Sequence, residues 1–383
     1  MTISAMAAGA AATGLGVHAL SALLAARRCR ETKPADPAPA NLPPVTIVQP
    51  LCGVETFSRE TLASIFALDY PEYEIVFYIA DGADPIAPLV RGFMDAHPGI
   101  PSMLLVGDDR VSGNPKLNNV VKGWKAAAHD WIIIADSNVA MPRDYITRLL
   151  SRWRADSGIG CSPPLGARAR GLAAEIECAF LNTYQARWQY AGEAVGYGFA
   201  QGKTMLWRRD VLDDDGGIEA LGAEIAEDAA STKLVHRAGL RAHLVDRPFA
   251  QPLGHRRLGD VWKRQLRWAR LRRATFALFF APEIFTSSLF TFAATAVASA
   301  QWDISPLVGL ALAALVWYGC EAALAAVAGW PLNLRSPLAW IARDLMLPWL
   351  WVQGWVGDQF EWRGNAMTVG EDDLAADGAG MER

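Results

Sequence analysis

The stretch WIIIADSN at residues 131–138 indicates the fold class of this chain. Its apolar run ends at Asp136, which is typical of a strand that is buried on both faces and followed by a polar group. Similar apolar runs alternate with helical stretches earlier in the chain, the runs at 45–50, 74–80 and 103–106 and the helices at 58–68, 86–97 and 118–129. This alternation predicts an α/β fold with a mostly parallel sheet and helices on both faces.

Two aspartates follow predicted strands. Asp81 lies in YIADGADP, and Asp136 lies in IIIADSN. Ligands of such sheets bind beyond the carboxyl ends of the strands, so we expect both carboxylates to line one crevice. An aspartate at the end of a strand is also a common turn or helix-cap residue, and this simpler interpretation stays open for either position alone.

The residues after the strand at 131–135 suit a bound metal–diphosphate. A divalent cation held by carboxylate and phosphate oxygens offsets the charge of a leaving diphosphate. Asn138 stands where an Asp-x-Asp motif has its second acid. We therefore expect Mg²⁺ or Mn²⁺ to be held largely by Asp136 and by the phosphates of the ligand.

The motif NPKLNN at residues 114–119 places a lysine between a proline turn and a helix start. Lys116 is a candidate phosphate contact, and Asn118 and Asn119 are candidates for reading a base or ribose edge. The alternative is an ordinary turn and helix cap, which Asn and Pro commonly form.

Two adjacent acids lie in IAEDAAS at residues 225–231. A hydroxyl that attacks an electrophilic carbon must lose its proton, and a carboxylate within hydrogen-bond reach is a suitable base. Because Glu227 and Asp228 point in different directions, we expect only one of them to serve, and we choose Asp228. A solvated helix face is the alternative interpretation.

The motif RQLRW at residues 264–268 places two arginines three positions apart, on one face of a helix. Arg264 and Arg267 can each donate paired hydrogen bonds to phosphate oxygens. Trp268 can stack against a sugar or an acceptor. A basic helix on an anionic membrane surface is the alternative, and it accounts well for the further arginines that follow.

Hydrophobic segments at both ends of the chain indicate a membrane protein. Residues 3–26 are apolar and uncharged, long enough to cross a bilayer, and are followed by Arg27, Arg28 and Arg30. Charge after the apolar stretch favours an uncleaved anchor with the following segment in the cytoplasm. Apolar segments return at 289–300, 304–330 and 338–356. The last contains Arg343, Asp344 and several tryptophans, which suit an interfacial helix.

Composition excludes other classes. The net charge of -4 gives no nucleic-acid footprint, so no nucleic-acid partner is expected. The five cysteines are scattered without a Cys-x-x-Cys pair, which excludes a disulfide framework or a zinc site. The predicted organisation is a transmembrane anchor at 1–30, a linker at 31–44, a soluble domain at 45–255, interfacial helices at 256–283, a transmembrane region at 284–360 and a polar tail at 361–383.

These motifs, in this order, resemble the ceramide glucosyltransferase family, membrane-bound transferases with a GT-A type nucleotide-sugar domain. The resemblance extends over about 45–365. It includes VQPLCGVE at 48–55, ADGADP at 80–85, NPKLNN, ADSN, IAEDAAS, RQLRWARLR at 264–272 and IARDLMLPW at 341–349.

The resemblance implies an inverting transferase that moves glucose from UDP-glucose to the primary hydroxyl of ceramide, giving glucosylceramide and UDP. By the same resemblance Asp136 binds the metal and Asp228 is the base. Arg264, Arg267 and Trp268 hold the diphosphate and the acceptor. The donor-binding set is Asp81, Asp84, Lys116, Asn118, Asn119, Asp136, Gln201 and Gly202.

The chain departs from the family at one position, since the animal members have a histidine near Gln185. The resemblance also implies a multi-pass protein, which we place in a bacterial inner membrane with the catalytic domain on the cytoplasmic side. The sequence leaves the oligomeric state and the number of full spans open.

Other functions stay open at this point. The same chemistry can act on diacylglycerol or a hopanoid alcohol, and UDP-galactose or UDP-glucuronic acid can replace UDP-glucose. A processive polysaccharide synthase has similar acidic motifs, but this chain has few convincing spans for a polymer channel. A non-catalytic scaffold would have had no need to keep all of the motifs.

Overall fold

The computed structural model describes residues 3–30, 42–107, 109, 111–362 and 365–368. The chain forms two compact units. The first, here called the helical unit, comprises Met1–Glu31, Leu165–Ala191 and Leu253–Val369. The second, here called the sheet unit, comprises Thr32–Pro164, Gly192–Pro252 and Gly370–Arg383. Most of the predicted linker at 31–44 and of the predicted tail at 361–383 lies outside the described residues.

The described residues form strands and helices with the following bounds. The strands are β1 Val45–Leu51, β2 Tyr73–Ile79, β3 Ser102–Val106, β4 Trp131–Ala135, β5 Ser157–Cys161, β6 Pro164–Arg170, β7 Thr204–Arg208, β8 Arg241–Leu244, β9 Phe249–His255, β10 Gln359–Trp362 and β11 Asn365–Thr368. The α-helices are α1 Ile3–Arg30, α2 Ser58–Ile65, α3 Ala87–Ala96, α4 Pro115–Ala126, α5 Tyr145–Leu150, α6 Leu172–Ala179, α7 Arg187–Ala194, α8 Arg209–Asp213, α9 Glu227–Arg237, α10 Leu258–Thr275, α11 Ala277–Phe280, α12 Ser288–Gln301, α13 Pro306–Ala328 and α14 Ser336–Trp355. A π-helix spans Phe180–Ala186, and 3₁₀-helices span Ile218–Ala223 and Ala281–Thr286.

The sheet unit contains a seven-stranded sheet with the order β3-β2-β1-β4-β7-β5-β8. Strands β1, β2, β3 and β4 run parallel to one another, β5 is parallel to β8, and β7 runs antiparallel to both of its neighbours, β4 and β5. The predicted α/β fold with a mostly parallel sheet is confirmed. Strand β2 is buried along its whole length, as expected for a strand covered on both faces.

This topology brings four loops to one edge of the sheet. The loops after β1, β2 and β4 leave from the carboxyl ends of parallel strands, and the loop before antiparallel β7 arrives at the same edge. Ala135 pairs with Thr204 across the β4–β7 ladder, and the backbone N–H of Asp136 donates to the carbonyl of Lys203 at 3.1 Å. The register of β4 against β7 therefore fixes the backbone positions of Asp136 and Lys203 relative to each other.

The helix positions were predicted well and their ends less so. Helices α2 and α3 lie within the predicted stretches, but α4 begins three residues before the predicted 118. Asn114 caps α4 and Pro115 occupies its first turn, two residues that suit a helix start. Lys116 is consequently in the first turn of α4.

The helical unit contains the segments that are apolar enough to cross a membrane. Among the described residues, α1 and α13 qualify as spans by length and composition, and a third span is possible if Ala277–Thr286 and α12, bent by 49°, are counted as one. Helix α14 does not qualify and contains Pro348 as well as two charged side chains. The segment Leu165–Ala191, predicted within the soluble domain, belongs to this unit. Its apolar side chains pack with those of α10 and α14 in one core.

Oppositely charged side chains are buried together inside the helical unit. Arg343 of α14 forms a two-point contact with Glu321 of α13, with nitrogen–oxygen distances of 2.7 and 3.0 Å. Its other donors reach Asp344, at 2.8 and 2.9 Å, and Thr183 of the π-helix at 2.9 Å. The charges of Arg343 and Asp344, which made the segment 338–356 less certain as a span, are thus paired inside the unit.

Helix α1 joins the same network through a histidine. His18 Nδ1 contacts the guanidinium of Arg187 at 2.8 Å, and its Nε2 lies 3.0 Å from the carbonyl oxygen of Trp317. Since an arginine can only donate, this geometry assigns the Nε2–H tautomer to His18. The two acids and two arginines, with this neutral ring, connect α1, α13, α14 and the segment around the π-helix.

Replacing Arg343 tests the structural importance of this network. Arg343→Met would leave Glu321 and Asp344 buried without their counter-ion, so we expect the free energy of unfolding to fall by about 3–5 kcal/mol. Thermal unfolding in detergent measures the change. Arg335→Met, at the exposed start of α14, is the matched control and should unfold like the wild type. Equal midpoints for the two variants would contradict the network's role.

Candidate functional site

The candidate site in the sheet unit is organised around the ammonium group of Lys116. Its Nζ lies 2.7 Å from Asp136 Oδ1, 2.6 Å from Glu227 Oε1 and 2.7 Å from the carbonyl oxygen of Gly202. These residues come from α4, the end of β4, the start of α9 and the loop before β7. One buried cation therefore joins four segments at the predicted edge of the sheet.

Asn114 caps the start of α4 and also hydrogen-bonds the carboxylate of Glu227. Its Oδ1 accepts from the backbone N–H groups of Lys116 and Leu117, at 2.9 and 3.2 Å, which completes the helix cap. Its Nδ2 donates to Glu227 Oε2 at 2.9 Å. The helix-cap interpretation of NPKLNN is thus correct for Asn114, and the cap is also part of the site.

Asp136 lies between two ammonium groups. Lys203 Nζ contacts Asp136 Oδ2 at 2.8 Å, opposite the contact of Lys116 with Oδ1, and also lies 3.3 Å from Asn138 Oδ1. Burial favours the neutral carboxyl, but the charges of Lys116 and Lys203 outweigh it and hold the pKa of Asp136 well below its usual range. Asp136 is accordingly a permanent anion in the site.

Lys116 is a permanent cation for the same reason. Burial disfavours its charged form, but the carboxylates of Asp136 and Glu227 outweigh burial and raise the pKa of Lys116 above its usual range. Lys116 is therefore charged at neutral pH and compensates the two acids that contact it.

Asp228 has a different environment from its neighbour Glu227. Its Oδ2 accepts from the backbone N–H of Gly202 at 3.0 Å, and its Oδ1 accepts from the N–H of Ala229 at 2.8 Å. Burial, together with the charge of Glu227, raises the pKa of Asp228 to about 6. Asp228 is therefore an anion at neutral pH that still binds a proton readily, as a general base requires.

Gly202 is a position of close approach. A Cβ added here would lie 2.7 Å from Glu227 Oε1 and 2.9 Å from Lys116 Nζ. The residue is predicted to lie near a donor sugar, and in the structure it lies against the charged cluster. Gln201, which precedes it, is partly exposed in the same loop.

The remaining donor-binding candidates separate into exposed and structural residues. Asp81 is exposed after β2 and accepts from the N–H of Ala83 at 2.9 Å. Asp84 accepts from the N–H of Gly53 at 2.9 and 3.0 Å, which ties the loop after β1 to the loop after β2. Asn118 is buried and bonded to the backbone of the loop before α4, at Val111 and Ser112. Its side chain shapes that loop and is not exposed to a ligand.

Asn119 differs from Asn118. Its buried Oδ1 has no hydrogen-bond partner among the described residues. A buried amide oxygen of this kind is the sort of group that a ligand donor can satisfy.

The arginines and the tryptophan of RQLRW lie on α10 in the helical unit. Arg264 is already paired with Glu177, a carboxylate that Arg256 also contacts at 3.1 Å. Trp268 packs against an apolar cluster around Cys178. Arg267 is partly buried on the same helix. Of the three, Arg264 would have to exchange a buried partner before it could bind a phosphate.

The family departure at Gln185 also lies in the helical unit. Its Nε2 donates to Gln265 Oε1 at 3.3 Å. The two amides form a polar pair between the π-helix and α10.

The side-chain oxygens of Asp136 and Asn138 are the groups near this site that suit a divalent cation. The described residues contain no group of three histidine, cysteine or acidic side chains suited to a metal. The oxygens of Asp136 and Asn138 do converge on one point, because the ammonium of Lys203 contacts both. Carboxylate and amide oxygens are suitable ligands for Mg²⁺ or Mn²⁺ when phosphate oxygens complete the shell.

The contacts of Asn114, Glu227 and Lys203 within the site were not predicted from the sequence. Lys203 and Glu227 each stand next to a residue that was assigned, Gly202 and Asp228. Asn114 was recognised only as a cap. Nothing in the local sequence shows that these side chains meet, since the contacts join residues that are 67 to 113 positions apart in the chain.

Comparison with known proteins places the chain among transferases. The model of glycosyl transferase family 21 matches residues 7–375. Ceramide glucosyltransferase 3 of Caenorhabditis elegans is 24% identical over 346 residues, covering 86% of this chain and 73% of the relative. Ceramide glucosyltransferase 1 of the same organism is 26% identical over 260 residues, covering 67% of this chain and 55% of the relative.

A solved structure supports the fold. The mannosyltransferase PcManGT from Pyrobaculum calidifontis, in complex with GDP-Man and Mn²⁺, aligns with a TM-score of 0.52 at 18% identity over 93% of this chain and 98% of that chain. At this identity the likeness concerns the fold alone. The predicted GT-A type fold is confirmed.

Lys116→Met tests the organisation of the site. The change would leave the carboxylates of Asp136 and Glu227 close together without their shared cation, and we expect the free energy of unfolding to fall by about 3 kcal/mol. Chemical or thermal unfolding measures it. Lys125→Met on the same helix removes only an exposed ion pair with Glu219 and should unfold like the wild type. Equal losses in the two variants would show that Lys116 does not organise the site.

Proposed function

Because the chain belongs to glycosyl transferase family 21, we propose that it transfers glucose from UDP-glucose to the primary hydroxyl of ceramide. The product is glucosylceramide, and UDP leaves. The observation that carries the proposal is the cluster of Asp136, Lys116, Glu227 and Asp228 at the carboxyl ends of the strands. The names of the two nematode relatives support the substrates.

Asp228 is the proposed base. It accepts the proton of the ceramide hydroxyl while that oxygen bonds to the anomeric carbon and the bond from that carbon to the diphosphate oxygen breaks. A single displacement of this kind inverts the anomeric configuration. The raised pKa of Asp228 suits this role, because the carboxylate is ionised at pH 7 yet basic enough to take the proton.

The leaving diphosphate requires positive charge. In this proposal Lys116 and Lys203 supply part of it. Asp136 and Asn138 would hold a divalent cation, which would supply further positive charge to offset that of the leaving diphosphate. Asp81, Asp84, Asn119 and Gln201 remain the candidates for nucleotide and sugar contacts.

The predicted roles of the α10 residues belong to the same proposal. Arg267 is assigned to the diphosphate and Trp268 to the acceptor, both from the family resemblance. Arg264 is assigned to the diphosphate on the same grounds, and it would exchange its partner Glu177 for a phosphate oxygen.

A membrane location agrees with a lipid acceptor. A two-chain lipid leaves a bilayer only at a high free-energy cost, so its transferase has to work at the membrane surface. Helices α1 and α13 are long and apolar enough to hold the chain there. We propose a multi-pass protein of a bacterial inner membrane with the sheet unit in the cytoplasm.

The donor and the acceptor can be tested with the purified, full-length protein in detergent. UDP-glucose, UDP-galactose and UDP-glucuronic acid are each offered with ceramide and with diacylglycerol, with Mn²⁺ or with EDTA. We expect metal-dependent formation of glucosylceramide, detected by mass spectrometry. Product only on diacylglycerol would replace the acceptor, and polymer without lipid product would favour a polysaccharide synthase.

The pH profile and one substitution test the base. Above its pKa Asp228 is ionised and active, and as the pH falls through about 6 it is protonated, so turnover should fall by about tenfold per pH unit below that point. Asp228→Asn should lower turnover by about 10²–10⁴-fold while UDP-glucose binding persists. Asp95→Asn, exposed on α3, is the control. Near-normal turnover of Asp228→Asn would exclude Asp228 as the base.

A further inference from the structure

The Lys203 ammonium lies where a cation ligand set converges. It is 2.8 Å from Asp136 Oδ2 and 3.3 Å from Asn138 Oδ1. These are the same two oxygens that the preceding proposal gives to a divalent cation. The positive charge of Lys203 thus lies where the proposed function places the divalent cation.

The pairing of β4 with β7 positions the backbone of Lys203. Thr204 pairs with Ala135 in the β4–β7 ladder, and the Asp136 N–H donates to the Lys203 carbonyl at 3.1 Å. Side chains opposite each other on neighbouring strands lie within contact distance. The backbone of Lys203 is therefore held by the ladder, and only its side chain has freedom to move.

The Lys116 side chain is more completely enclosed than the Lys203 side chain. Three oxygens surround its Nζ at 2.6–2.7 Å, from Asp136, Glu227 and Gly202, and its side chain is 11% exposed. The Lys203 and Asp136 side chains are 17% and 23% exposed. Because the Lys203 and Asp136 side chains are more exposed than that of Lys116, their contact is the one that a ligand can reach.

We propose that Lys203 is a positioning residue that blocks the divalent-cation site between Asp136 and Asn138 until a nucleotide diphosphate binds. An ammonium and a divalent cation repel each other at this separation, so they cannot share the two oxygens. The phosphate oxygens of the donor offer Lys203 a new partner and offer the metal further ligands. Metal and donor consequently bind together, and the metal alone binds weakly. This inference rests on the proposed function for the identity of the donor as a nucleotide diphosphate.

Binding of Mn²⁺ to the full-length protein in detergent tests the proposal without any acceptor. The free Mn²⁺ signal in electron paramagnetic resonance is followed during titration with MnCl₂, with and without UDP. We expect UDP to strengthen Mn²⁺ binding strongly in the wild type. Lys203→Met should raise the nucleotide-free affinity for Mn²⁺ by at least about tenfold, because the competing charge is gone. The strengthening by UDP should shrink by a similar factor.

Matched variants identify the site. Lys125→Met removes one exposed positive charge from the same unit and should leave Mn²⁺ binding unchanged. Adding Asp136→Asn to Lys203→Met should abolish the gain. Thermal unfolding verifies that each variant is folded, and Lys203→Gln repeats the test with a polar side chain if Lys203→Met does not fold.

Two results would overturn the inference. One is a nucleotide-free Mn²⁺ affinity that is the same in Lys203→Met, or in Lys203→Gln, as in the wild type. The other is a gain that survives Asp136→Asn. The test is independent of the proposed acceptor: a chain that shows the exchange but glycosylates no lipid keeps this inference and loses the proposed function. A chain that makes glucosylceramide but shows no exchange loses only the inference.

Discussion

One buried ammonium group determines the arrangement of the candidate site. Lys116 is the common partner of Asp136 and Glu227, and without it two carboxylates would lie close together in a partly desolvated edge of the sheet. Such an arrangement is unfavourable unless a cation compensates it. The cap formed by Asn114, the close approach of Gly202 and the start of α9 all follow from placing that cation at the first turn of α4.

The helical unit also contains buried charges that need compensation, here among apolar helices. Glu321, Arg343, Asp344 and Arg187 are buried among apolar helices, where an unpaired charge is expensive. Two acids and two arginines balance, and Thr183 and Trp317 donate further hydrogen bonds to the acids. Such a network contributes little net stability compared with apolar packing, but it penalises any register in which one partner is missing. Pairing of this kind therefore specifies how α1, α13 and α14 pack against one another.

The strands and their order of appearance were predictable because buried parallel strands leave continuous apolar runs, as at 131–135. Asp136 was singled out because it ends such a run, and Asp228 because it lies in a pair of adjacent acids. The contacts of Asn114, Glu227 and Lys203 were not predicted, since they join segments that are distant in the sequence. The same holds for Arg343, whose charge argued for an interfacial helix until its partner Glu321 on α13 was known. Local patterns report the burial of a segment, whereas long-range pairing of charges depends on the complete fold.

The two adjacent acids at the start of α9, Glu227 and Asp228, differ in their partners. Glu227 uses both carboxylate oxygens, one for Lys116 and one for Asn114. Asp228 accepts from two backbone N–H groups and lies within the field of the Glu227 charge, which together with burial raises its pKa to about 6. An acid committed to a buried cation cannot also take a proton from a substrate without breaking that ion pair, so it serves as a fixed anion. The acid held only by backbone donors keeps its proton affinity, and the division of labour between identical functional groups follows from their partners.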